Sequence, residues 1–182
     1  EKFDLKKASS VSISVSNNLY YSKYLTDIKI FGQCTDYPLF EKNFVCVKPP
    51  FISFKSKNKY IAEYMCKKIL EEGNNKQIVE LHNRPYLVNH IYDKVKHFPI
   101  CLFLHNDPQN MKGSKSVKDR QNILKKCVLV FCVSQFIKEQ FIEGLTNSKE
   151  KVVVLHNGVK RTLKKFPLKK KEVLFVGRLV PE

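Results

Sequence analysis

Short apolar runs recur along the second half of the chain, and this pattern constrains the fold more than any other feature. The runs are IVEL (78–81), ICLFL (100–104), VLVFCV (128–133), VVVL (152–155) and VLFV (173–176). Because their apolar residues are continuous and do not alternate with polar ones, they are typical of strands that are buried on both faces of a parallel sheet.

Segments with helical spacing separate these runs. Their apolar residues lie three or four positions apart, as along one face of a helix: Val88, Ile91 and Val95; Ile137, Phe141 and Leu145; and, before the first run, Ile61, Met65 and Ile69. Gly73 follows the last of these stripes and is a typical helix stop. Strands and helices therefore alternate, which predicts an α/β fold with a Rossmann-like open parallel sheet and flanking helices.

The first 56 residues are less regular. Val11, Ile13 and Val15 alternate with serines, which predicts a strand. IKIFG (28–32) and NFVCV (43–47) predict a second and a third strand before two consecutive prolines.

Charge and cysteine content limit the class of protein. The chain has 33 Lys and Arg against 17 Asp and Glu, a net charge of +16 that either favours an anionic partner or reflects a lysine-rich composition. No apolar stretch is long enough to span a membrane. The six cysteines form no CxxC pair, which predicts buried free thiols in a reducing compartment, interpreted as the cytoplasm: Cys34, Cys46, Cys66, Cys101, Cys127 and Cys132.

The residues that follow the apolar runs are the candidates for a site, because ligands of an open parallel sheet bind beyond the carboxyl ends of its strands. These candidates are His82, Asn83, Arg84, His105, Asn106, Ser134, Asn157, Gly158, Gly177 and Arg178. The histidines lie on separate strands without the spacing of metal ligands, so no metal site is predicted.

Four of these residues have specific interpretations. Ser134 is interpreted as a helix N-cap, and no Gly-x-Ser-x-Gly elbow surrounds it. Asn157-Gly158 predicts a tight turn, since both residue types tolerate positive φ. Arg178 follows a glycine at a strand end and is either a phosphate ligand or an ordinary surface arginine.

The strand ends, taken in order, resemble a known family. VELHNRP, ICLFLHNDP, VFCVSQFIK, VVVLHNGV and VLFVGRLVPE are similar in order and approximate spacing to the retaining glycosyltransferases of family 4, which have the two-domain GT-B fold. The resemblance covers about residues 76–182. The HNRP stretch resembles family members that build lipopolysaccharide and other surface polysaccharides.

The resemblance implies roles for the candidate residues. His105 would be catalytic, in the cleft beside the transferred sugar, and Ser134 would shape that cleft. Gly177 and Arg178 would contact the diphosphate of the donor, where the arginine offsets leaving-group charge. The remaining candidates would line the acceptor side of the cleft: His82, Asn83, Arg84, Asn106, Asn157 and Gly158. No metal and no cofactor is implied, and a nucleotide sugar is the co-substrate.

The resemblance also implies a domain organisation. Residues 1–159 would form the Rossmann-like acceptor-side domain, 160–172 a basic linker, and 173–182 the first strand of the nucleotide-sugar-binding domain. The family's first strand and glycine-rich loop would precede Glu1, and its donor-binding glutamates would follow Glu182. We therefore expect that these 182 residues alone do not catalyse transfer. The linker is either a solvated hinge or a segment attracted to anionic lipid.

The function that follows is the transfer of a hexose from a nucleotide sugar to a glycan or lipid-linked acceptor, with retention and without a metal. The expected location is the cytoplasm, with possible peripheral contact with the inner face of the membrane, and no nucleic-acid partner is expected. The alternatives are a basic nucleic-acid-binding module, a GT-B nucleotide-sugar epimerase and an inactive partner subunit.

Overall fold

The computed structural model describes residues 3–51, 55–73, 76–159 and 171. In this part of the chain, parallel strands alternate with helices, which confirms the predicted α/β, Rossmann-like architecture. The strands are β1 (Ile30–Gln33), β2 (Phe44–Val47), β3 (Val79–His82), β4 (Ile100–Leu104), β5 (Leu129–Cys132) and β6 (Val152–Val154). The helices are α1 (Ser10–Tyr20), α2 (Lys57–Glu72), α3 (Val88–Val95), α4 (Val117–Lys126) and α5 (Gln135–Ile142). The predicted strand at 173–176 lies outside the described residues.

Local sequence sets the ends of the helices. The Ser56 side chain caps α2 by accepting the N–H of Lys59, and α2 ends at Gly73, which has a left-handed φ of 62°. Ser116 and Asp119 cap α4 reciprocally, each side chain accepting the other's backbone N–H. The predicted helix stop at Gly73 is therefore confirmed.

The strands form two parallel sheets. β3, β4, β5 and β6 pair in chain order, and β1 pairs with β2. The register places His82 beside Phe103, and Leu104 beside Cys132, so the carboxyl ends of β3, β4 and β5 lie at one edge of the sheet. The residues that follow these strands therefore meet there.

Helices cover one face of the four-stranded sheet. Because β3 to β6 pair in chain order, the right-handed crossovers that are usual between parallel strands put α3, α4 and α5 on the same face. Their buried side chains join those of the strands in one core, which includes Leu102, Val130, Ile91, Ile123 and Phe141. On β4, buried residues alternate with partly exposed ones. The expectation that the strands are buried on both faces is therefore wrong for this strand, because α3 to α5 all lie on one side.

The two sheets are separated by a large cavity. It has a volume of about 900 Å³, and its walls include every residue of β1 and β3, together with residues of α1 and α2. Among the described strands, β3 pairs only with β4, and β1 only with β2. The free edges of β1 and β3 therefore both border this cavity.

The serine-rich segment near the start is helical, so the strand predicted around Val11, Ile13 and Val15 is wrong. Ser9 caps α1 by accepting the N–H of Ser12. Ser16 donates its hydroxyl to the Ser12 carbonyl one turn earlier, so these polar side chains are satisfied within the helix. The alternation of three apolar residues is a weaker structural signal than the serine cap at the start of this helix.

Two cysteines form a disulfide, which corrects the prediction of six free thiols. The parallel pairing of β1 and β2 brings Cys34 and Cys46 together, with their Cα atoms 4.5 Å apart. The remaining four are free: Cys66, Cys127 and Cys132 are buried, and Cys101 is half-buried. Cys34 and Cys46 are 12 residues apart in sequence, and this spacing does not by itself predict that they are in contact.

Candidate active site

Two histidines meet at the carboxyl edge of the sheet. His82 ends β3 and His105 follows β4, and Nδ1 of His82 lies 3.3 Å from Nε2 of His105. Burial, and secondarily the charge of His82, lower the pKa of His105 to about 4. The His105 imidazole is therefore neutral at pH 7, so one ring nitrogen can donate a hydrogen bond while the other accepts one.

Glu80 extends this pair on the side away from His105. Its Oε2 atom lies 3.6 Å from Nε2 of His82, which makes an ion pair when His82 is protonated. The three side chains form a row from the exposed carboxylate, through His82, to His105. The imidazole of His82 therefore lies between the Glu80 carboxylate and the neutral imidazole of His105.

Asn83 connects the two strand ends. Its main chain is left-handed, with φ 57°, and the residue is 5% exposed. The Asn83 N–H donates to the Phe103 carbonyl at 2.7 Å, and its Oδ1 accepts the N–H of His105 at 3.1 Å. Arg84 donates from Nη1 to the Asn83 carbonyl at 2.8 Å. The HNR sequence therefore connects the loop after β3 to the loop after β4 through the hydrogen bonds of Asn83.

An aromatic row lies on the sheet face that α3 to α5 leave uncovered. The ring of His82 stacks on Phe103 with centroids 4.5 Å apart, and Phe103 stacks on Phe131 at 4.6 Å. A cavity of about 470 Å³ lies between this face and α1, and its walls include His82, Phe103, Asn18 and Gly158. The pocket combines aromatic rings with polar groups, as small-molecule sites do.

The loop that carries His105 is tied down by residues that the sequence did not single out. Arg120 is 3% exposed, and its guanidinium donates to the carbonyls of Ser114, Lys115 and Glu143. Asn106, beside His105, is exposed. An arginine within a charged helix carries no sequence signal that it is buried, so the sequence does not predict this role for Arg120.

The later candidates have structural contacts of their own. Ser134 accepts the N–H of Ile137 at 3.2 Å and caps α5, which confirms the N-cap interpretation. Asn157 accepts the Ser14 hydroxyl at 2.5 Å, and Asn17 donates to the Gly158 carbonyl at 3.1 Å.

The tight turn predicted at Asn157-Gly158 is wrong. Neither residue has a positive φ, and Ser14 and Asn17 of α1 donate hydrogen bonds to this segment. Gly158 lines the same cavity as His82, so the segment still reaches the site. Gly177 and Arg178 lie outside the described residues.

No group of three or more His, Cys, Asp or Glu in the part of the chain that the structure describes is arranged to hold a metal ion. None of the helices in the described ranges is both long and apolar enough to cross a bilayer.

Comparison with known families decides the identity of this fold. The family model described as Glycosyltransferase Family 4 matches residues 27–163, about three quarters of the chain. The chain belongs to glycosyltransferase family 4. No curated protein matches the sequence. The match spans the described strands from β1 to β6, so the paired histidines lie within the glycosyltransferase domain.

Proposed function

We propose that this family 4 domain is the acceptor-side half of a retaining, metal-independent hexosyltransferase. In the complete protein it would transfer a hexose from a nucleotide sugar to a glycan or lipid-linked acceptor. The observation that carries the proposal is the His82–His105 pair at the carboxyl edge of a family 4 sheet. The HNRP sequence supports a role in the synthesis of lipopolysaccharide or another surface polysaccharide.

His105 is the proposed catalytic residue. Its imidazole is neutral at pH 7, because burial lowers its pKa to about 4. A neutral ring binds a sugar hydroxyl by donating or accepting a hydrogen bond, and it brings no charge that would compete with the donor's diphosphate. The aromatic row and the polar end of α1 supply the walls of the proposed acceptor side.

Gly177 and Arg178 are the proposed diphosphate ligands. The small residue lets the backbone come close to phosphate, and a guanidinium binds phosphate oxygens in a bidentate manner. In this proposal residues 160–172 are the linker between the two domains, and 173–182 begin the donor-binding one. The lysines and arginines of the linker would attract it to anionic lipid at a membrane surface.

The cavity between β1 and β3 supports a further part of the domain proposal. Helix α1 leads into β1, so a parallel strand before α1 would complete a β-α-β unit. The cavity of about 900 Å³ lies between two free parallel edges, where such a strand would pair on both sides. We therefore propose that the strand that the family has before this helix fills the cavity.

The test is a transfer assay with the full-length protein. Labelled hexoses on uridine and guanosine diphosphate are offered with lipid-linked and free glycan acceptors, and the wild type is compared with His105→Ala. The matched control is His97→Ala, since His97 is exposed beyond the end of α3. We expect product with wild type and control, and a loss of at least 100-fold with His105→Ala. An epimerised free donor without transfer, or equal activity of all three proteins, would overturn the proposal.

A further inference from the structure

We propose that Asn83 is a positioning residue, whose side-chain oxygen replaces a backbone carbonyl in the β3–β4 ladder and thereby fixes His105 beside His82. The importance of this position for catalysis rests on the proposed function. The geometric role itself does not depend on any substrate.

The ladder between β3 and β4 shows the replacement. Val79 donates its N–H to the Pro99 carbonyl, and Asn83 donates to the Phe103 carbonyl at 2.7 Å. In a regular parallel pair, the next bond would join the N–H of His105 to the main-chain carbonyl of Asn83. In this protein the N–H of His105 instead donates to Oδ1 of Asn83 at 3.1 Å.

The cause is the left-handed main chain at Asn83. With φ at 57°, the chain leaves the sheet, and the Asn83 carbonyl accepts from Nη1 of Arg84 at 2.8 Å. The side-chain oxygen takes over the position in the ladder that the carbonyl has left. The chain can therefore turn toward Arg84 without releasing His105 from the edge of the sheet.

Asparagine meets every requirement of this position. Glycine tolerates positive φ but offers no side-chain acceptor. Aspartate offers an acceptor, but it adds a negative charge next to two imidazoles. Longer residues are unfavourable at positive φ, and the residue at this position is only 5% exposed.

The arrangement sets the geometry of the two imidazoles. The ring of His82 lies on a strand, held by its stacking on Phe103 with centroids 4.5 Å apart. His105 lies one residue beyond the end of β4, so its main chain needs another anchor. The bond to Asn83 supplies this anchor, and the distance of 3.3 Å between the ring nitrogens depends on it.

The test uses nuclear magnetic resonance of the 182-residue chain, comparing the wild type with Asn83→Gly and Asn83→Asp. Two quantities are measured: the pKa of each imidazole, from its Cε1–H titration, and the exchange rate of the His105 amide. The control is Asn89→Gly in α3, which perturbs an exposed helical position without touching either imidazole. None of these measurements needs a sugar, so they remain decisive if the transfer assay fails.

Each variant has a distinct expected result. In Asn83→Gly, we expect at least tenfold faster exchange of the His105 amide and a pKa of His105 that rises by about one unit, since the ring becomes more solvated. In Asn83→Asp, the acceptor remains, so the amide should stay protected while the added carboxylate raises the pKa of His105. Asn89→Gly should change neither quantity.

Two outcomes would overturn the proposal. One is a His105 amide and pKa in Asn83→Gly that match those of Asn89→Gly. The other is a His105 amide in Asn83→Asp that exchanges as fast as an unprotected amide. This second measurement tests the proposal even if Asn83→Gly does not fold.

Discussion

Gly113 packs against the main chain of Tyr86 so closely that a β-carbon on Gly113 would lie 2.4 Å from the Tyr86 Cα. Tyr86 belongs to the short turn Pro85–Leu87 that follows the HNR sequence, and Gly113 belongs to the loop that follows His105. This contact therefore locks the two loops of the candidate site against each other. Its partner is backbone, which cannot move aside as a flexible side chain can.

Replacing Gly113 with alanine should be strongly destabilising. Gly113 also has a φ of 90°, so the variant combines backbone strain with a steric clash, and we expect a loss of roughly 2 to 4 kcal/mol in the free energy of unfolding. Gly73→Ala is the matched control, because Gly73 has a φ of 62° but open space around it, and should cost about 1 kcal/mol. Urea denaturation measures both, and equal losses would contradict the prediction.

Arg120→Met should destabilise the loop that carries His105. The substitution keeps the volume but leaves three carbonyls without their guanidinium donor, at a cost of roughly 2 to 4 kcal/mol. Lys118→Met on the exposed side of α4 should change the free energy of unfolding by less than about 0.5 kcal/mol. The amides of the loop that includes Ser114 should exchange faster in Arg120→Met, together with the loss of stability, but not in Lys118→Met.

His105 should make the folded state less stable in acid. Its folded-state pKa of about 4 lies below the ordinary value of 6.5, so the unfolded chain binds the proton more readily. The contribution of the neutral His105 ring to the free energy of unfolding is constant above pH 6.5. It is lost as the pH falls from 6.5 toward 4. Because the ring is partly solvated, the loss should be about 1 kcal/mol.

The measurement for this pH effect is urea denaturation at pH 7 and pH 5. His105→Gln should show a smaller loss of stability between these two values than the wild type does. His97→Gln, which changes an exposed histidine, should behave like the wild type. An identical pH dependence in all three proteins would show that His105 is not responsible.

The Cys34–Cys46 disulfide should stabilise the β1–β2 pair. It closes a loop between residues 12 apart, so its removal by Cys34→Ser with Cys46→Ser should cost roughly 2 to 3 kcal/mol. Thiol titration of the unfolded chain should find four reactive thiols before reduction and six after it. Six thiols without reductant would disprove the bond, and the control Cys101→Ser should leave the disulfide intact.

A strand supplied before α1 should stabilise the chain if the proposed filling of the cavity is correct. We expect that fusing a five-residue Val- and Ile-rich strand and a short loop to Glu1 raises the Tm by several degrees, because it buries the walls of the cavity. The control fusion has proline at two strand positions, which removes ladder donors. Equal Tm values for the two fusions would contradict the proposal.

The sequence by itself determined the succession of strands from Val79 to Val154, and it predicted the helices α2, α3 and α5. It also placed His82, Asn83 and His105 at strand ends, because apolar periodicity and helix caps are local signals. Ser134 was recognised as a cap for the same reason. The segment around Val11 was predicted wrongly, since a three-residue alternation is a weaker signal than a serine cap followed by satisfied hydroxyls.

Only the tertiary structure decided which distant groups meet. The pairing of His82 with His105 depends on the register of β3 and β4, and the Cys34–Cys46 bond depends on the pairing of β1 and β2. The burial of Arg120, which the sequence leaves open, follows from the packing of α4 against the loop after β4. The physical reason is common to all three: periodicity records which face of an element is apolar, whereas contacts between elements depend on register and packing.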